Sequence, residues 1–178
     1  MKRIILTIFV LLTGITVFAQ SADMSNYTAE YNRSDATFID RFEVLQIVQD
    51  ANLTGIGEFY HECLKGLINK IPDIKTKEDW EATEASAIIL CKGLAAEKYT
   101  AAAQEIWSLV QEYSTVKSEN DGIAMQEALI ALGQVGDNDY VPHVVQSLND
   151  LITQETSDVE TKRRIQRGAA GAINALEA

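Results

Sequence analysis

Between Ala128 and Asp137 the chain reads ALIALGQVGD. Ala128, Ala131, Leu132 and Val135 fall at steps of three and four, the spacing that lines up one face of a helix. The Gly-Asp pair behind them reads as a stop. The same face recurs. Ala87, Ala128 and Ala169 stand 41 residues apart, as do Leu90, Ala131 and Ala172, then Cys91, Leu132 and Ile173, then Leu94, Val135 and Leu176. Four apolar positions kept in register through three copies mark a structural repeat, and a repeat of this length needs neighbours to cover its apolar face.

Working outward, helical spacing continues almost without a break. Phe38, Phe42, Leu45 and Val48 or Gln49 place a helix that ends near Asn52, and Phe59, Cys63, Leu67 and Ile71 place a second that Pro72 stops. Trp80, Ala87, Leu90 and Leu94 place a third. Ala102, Ala103, Ile106, Trp107, Val110 and Tyr113 place a fourth. After the polar stretch Ser114 to Asp121 come the helix of the opening segment, then one through Val141, Val144, Val145, Leu148, Leu151 and Ile152. Another runs from about Val159 to the end. Proline occurs only at Pro72 and Pro142, and no alternating β-branched run predicts a strand. Gly55-Ile-Gly57 reads as a turn between helices. Gly133 and Gly136 are expected to loosen a helix end and supply positive φ, with Asp137 or Asp139 capping the next helix.

Ala128 to Asp137 resembles the first helix and turn of a HEAT repeat, above all in the phycobilisome-lyase-like subfamily. YVPHVV, Tyr140 to Val145, is similar to the start of its second helix, and RGAAGAINAL, Arg167 to Leu176, to the next first helix. Glu84 to Ala96 is a poorer copy without the Gly-Asp turn. The resemblance is best over residues 119–178, fair over 78–113, and rests on helix pattern alone before that. A 41-residue period also suits HEAT and armadillo arrays, at roughly 40–47 residues, better than tetratricopeptide arrays at about 34. The resemblance implies an all-α, right-handed α-α superhelix of about three and a half hairpins over residues 38–178. It implies a protein- or peptide-binding scaffold, and the lack of catalytic motifs predicts no catalysis.

Residues 1–19 carry the marks of a signal peptide. Lys2 and Arg3 precede the apolar stretch from Ile4, and Val17-Phe18-Ala19 offers a cleavage site before Gln20. The alternative is retention as an N-terminal anchor, although Gly14 and the threonines weaken the run. The short basic region has a bacterial style, so the expected destination is the periplasm or the medium. Residues 20–37 are polar and read as a flexible lead-in. The net charge of −11 becomes −13 once Lys2 and Arg3 are removed. So acidic a chain repels a phosphate backbone and an anionic lipid surface, which counts against nucleic acid and membrane adhesion.

Chemistry-bearing motifs are sparse. His61-Glu62-Cys63 is too compact for a zinc site, and His143 belongs to another repeat, so no metal or cofactor is expected. Cys63 and Cys91 sit on apolar stripes and are either a disulfide or two buried thiols. Trp107 shares the Leu148 register and is expected in the core. On the second helices of the hairpins, Gln104, Glu105, Ser108, Gln111, His143, Gln146 and Asn149 form the candidate protein-binding surface. Two rival expectations remain: self-association through the apolar C-terminal helix, and a lyase-type enzyme of the kind found among HEAT-like relatives.

Overall fold

The computed structural model describes residues 24–115 and 122–178, and every regular element among them is helical. The expected signal peptide and most of the Ser114–Asp121 linker lie outside the described residues. Residues 24–31 form α1. Then come α2 (Phe38–Asp50), α3 (Gly57–Lys70), α4 (Lys77–Ala96), α5 (Ala103–Thr115), α6 (Ile123–Val135), α7 (Val141–Ile152) and α8 (Val159–Glu177). Short 3₁₀ turns stand at Ile71–Asp73, where Pro72 ends α3, and ahead of α5 and α7.

The even-numbered helices stack in chain order, α2 on α4, α4 on α6 and α6 on α8. Together they form one layer of an all-α solenoid. Among the odd-numbered helices α3 lies beside α5, and α7 meets α5 through the Trp107–His143 ring contact. The 41-residue register is therefore a spatial repeat. Along α6 and α8, Gly122 meets Arg164, Gln126 meets Gly171 and Gly133 meets Ala175. Contacts that advance together along both helices mean that the two run parallel. The odd helices pack closely on the even helix that succeeds them, α3 on α4, α5 on α6 and α7 on α8. The pairs drawn from the sequence as hairpins, α2 with α3, α4 with α5 and α6 with α7, touch far less, so each odd helix packs more tightly on its successor than on the helix before it.

The registered residues occupy the core. Ala87, Leu90, Cys91, Leu94, Ala128, Ala131, Leu132, Val135 and Ala172 are all buried. The last copy departs from the pattern, because Ile173 and Leu176 are exposed. Small residues set the spacing between helices. A side chain on Gly171 would put its Cβ 2.8 Å from the carbonyl oxygen of Gln126, and one on Gly133 would collide with the Ala175 backbone. Gly133 thus serves close packing inside α6, and not the loosened helix end expected for it. Gly136 does take positive φ, at 77°. Asn52 and Lys98 adopt the same left-handed backbone just beyond α2 and α4, so all three helices stop by one device. Asp137 caps the turn before α7 by accepting from the Asp139 N–H at 3.0 Å.

The N-terminal expectation needs correcting. Residues 24–31 are helical, and Tyr31 is fully buried, with Met24 and Tyr27 packed against the core. These three residues are spaced i, i+3, i+7, one face of a helix. Buried Arg41 of α2 holds the end of α1. Its guanidinium donates to the carbonyls of Tyr31 at 3.0 Å and Arg33 at 3.4 Å, placing a cation at the negative end of the helix.

Candidate functional site

The odd-numbered helices bring together residues that are far apart in sequence. His61 stands in the second turn of α3, Glu105 in the first turn of α5 and His143 in the first turn of α7. His61 Nε2 lies 2.9 Å from Glu105 Oε2, linking α3 to α5. The His61 ring also tilts against Tyr99, with centroids 5.6 Å apart. One repeat further, the His143 ring lies between Trp107 at 5.2 Å and Tyr140 at 5.8 Å. Both histidines of the chain therefore belong to one ledge that crosses three helices.

Burial and charge differ along this ledge. His61 is buried, Glu105 is half-buried, Trp107 and Tyr140 are partly covered by the core, and His143 is exposed. Partial desolvation, then the nearby carboxylates of Asp137, Glu105 and Asp139, push the Tyr140 hydroxyl above its ordinary range. These three carboxylates therefore act on one phenol. Lys65 pairs with Glu62 at 2.8 Å and also feels Glu105 and Tyr99, so a cation borders the α3 end. The arrangement offers aromatic faces, carboxylates and imidazole edges to an extended ligand. Among the described residues no three His, Cys, Asp or Glu side chains gather as metal ligands.

Of the residues chosen from sequence, Glu105 and His143 join the ledge. Gln104, Ser108 and Gln111 form a polar stripe along α5, where the Ser108 hydroxyl donates to the Gln104 carbonyl at 3.0 Å. Gln146 and Asn149 lie on α7, where Gln146 is exposed and its amide donates to Asp150 at 2.7 Å. Sequence reasoning weighed His61 only as a metal ligand, did not single out Tyr99 or Tyr140 as site residues, and placed Trp107 in the core, against which it packs half-buried. The available signal was the recurrence of aromatic and histidine residues at the starts of successive odd helices. Cys63 and Cys91 are free, buried thiols; desolvation raises both, Cys91 to about 12. Such thiols are poor nucleophiles.

No known family model matches the chain, and neither do any of the curated proteins or solved structures compared with it. Among the described residues no helix is long and apolar enough to cross a membrane.

Proposed function

We propose that the protein is an exported HEAT-like scaffold that binds a protein or peptide segment along the ledge formed by α3, α5 and α7, without catalysis. The observation that carries this reading is the bridging of α3, α5 and α7 by His61–Glu105 and by the tilted Trp107–His143 and Tyr140–His143 ring contacts, with Glu105 also acting on Tyr140. Half-covered aromatic rings give a partner large contact area at little cost in side-chain freedom, while the polar groups beside them set orientation. The 41-residue register and the Gly-Asp turn support the HEAT-like assignment, and the basic-then-apolar pattern of residues 2–19 supports export.

The test is cross-linked co-purification of the tagged protein from the envelope fraction of its own cells. A stoichiometric partner is expected, lost when Trp107→Ala and His143→Ala are combined and retained in Ile152→Asp, which lies away from the ledge. A partner captured equally by all three proteins, or none captured by any, overturns the reading.

A further inference from the structure

The ledge proposed above as a docking surface has a charge pattern of its own, and this inference rests on that reading. Several surface acids elsewhere are matched within the chain. Glu30 pairs with Arg33, Glu62 with Lys65 at 2.8 Å, Asp73 with Lys70 at 3.2 Å and Glu160 with Arg163 at 3.2 Å. The α5–α7 half of the ledge differs. No lysine or arginine occurs in α5, α6, α7 or the turn ahead of α7. Glu105 meets the imidazole of His61, and Asp137 takes the N–H of Asp139. Among the described residues none of these three carboxylates forms an ion pair with a lysine or arginine. The two nearest cations border only the α3 end. Lys65 feels Glu105 but is tied to Glu62, and Lys98 precedes Tyr99, whose ring lies over Gly57 at the start of α3.

These carboxylates converge on an aromatic strip. Glu105 comes from α5, Asp137 and Asp139 from the turn before α7, and all three act on the Tyr140 hydroxyl. The His143 ring joins Tyr140, at 5.8 Å, to Trp107, at 5.2 Å. Trp107 and Tyr140 are half-buried, so the core holds each ring while part of it stays open to a partner. The face of an aromatic ring attracts a cation, and indole does so most strongly. A partly desolvated carboxylate does the same, in a lower dielectric than water. A neutral segment laid over the strip would cover Glu105 and Asp137 without giving their charges a new partner, which costs binding free energy. Phosphate backbones and anionic lipid are repelled by the same charges. A lysine or arginine side chain meets both features at once, and a guanidinium can stack and pair together.

We propose that the occupant of the ledge is a basic segment of a partner protein, whose Lys or Arg side chains meet the Trp107 and Tyr140 rings and the carboxylates of Glu105, Asp137 and Asp139. Selection from a random-sequence peptide library on the whole protein tests it, followed by fluorescence anisotropy with one selected peptide. The selected peptides should be enriched in Lys and Arg. The dissociation constant should rise by about fivefold or more when Glu105→Gln and Asp139→Asn are combined. It should stay within about twofold when Glu43→Gln and Glu78→Gln are combined, which removes the same charge from exposed sites on α2 and α4. Circular dichroism should stay at the parent value in both, because Gln and Asn keep the shape and hydrogen-bonding capacity of the acids. Basic peptides affected equally by the two double variants overturn the proposal, since net charge alone would then attract them. A library that yields no binder overturns it as well. Selected peptides without basic enrichment, yet lost when Trp107→Ala and His143→Ala are combined, overturn it and leave the ledge reading standing. Basic peptides that survive that last pair overturn both.

Discussion

Leu132 shows at the scale of one residue what the register means. It is the middle member of the Cys91, Leu132, Ile173 series and lies buried where α6 faces α7 and α8. Truncating it leaves a void that parallel stacked helices cannot collapse to fill. Leu132→Ala should cost about 2–5 kcal/mol in urea unfolding, and a loss near zero would place the residue outside the core. Cys91 and Leu132 were legible in the sequence because burial requires them to be apolar at helical spacing. Tyr31 was not, although it is equally buried. Its stripe of Met24, Tyr27 and Tyr31 is embedded in Ser, Asn, Thr and Glu, so the polar average hid a short helix. His61 and Glu105 were legible only as separate polar residues. Their pairing depends on where two helices of one layer end up, and spacing within either helix does not encode that.

Between elements, glycine and capping residues set how closely helices approach and where they begin. Gly133 lets α8 approach α6 until backbone meets backbone at Ala175. Gly133→Val has no flexible neighbour to push aside. It should cost about 1–3 kcal/mol or more and should raise amide exchange first in α8; unchanged exchange there would contradict the close approach. At the helix starts, Asp40 completes a capping box with Thr37, and Asp158 accepts from the Thr161 N–H at 2.7 Å. Hydrogen bonds from Thr37 and from Thr161 hold these two carboxyls below their usual value of 3.8. A lowered folded value means that the stabilisation is complete above pH 3.8 and is lost as pH falls through the lower folded values. Stability should therefore fall on acidification below about pH 4. Asp158→Ser keeps a capping oxygen without a titrating group, so its acid limb in urea unfolding should be shallower. An unchanged limb would contradict the capping role.

Across the whole molecule, stacked repeats join distant residues into one ledge. The all-α class, the helix order and the stacking of the even helices were legible in apolar spacing and the 41-residue offset, because a solenoid writes its neighbour contacts into its period. The tighter packing of each odd helix on its even successor was not, since the linkers look like boundaries in sequence. The ledge was legible in part, through Glu105 and His143, while Trp107 read as core and Tyr99 and Tyr140 carried no periodic signal of their own. The central claim is that this ledge is the working surface, and site-specific photo-cross-linking in the protein's own cells tests it most directly. One photoreactive residue replaces Gln146, exposed one turn beyond His143 at the edge of the ledge; the control replaces Gln134, exposed on α6. A discrete heterologous adduct from position 146 and none from 134 is the result predicted. Adducts from both positions alike, or from 134 alone, would contradict it.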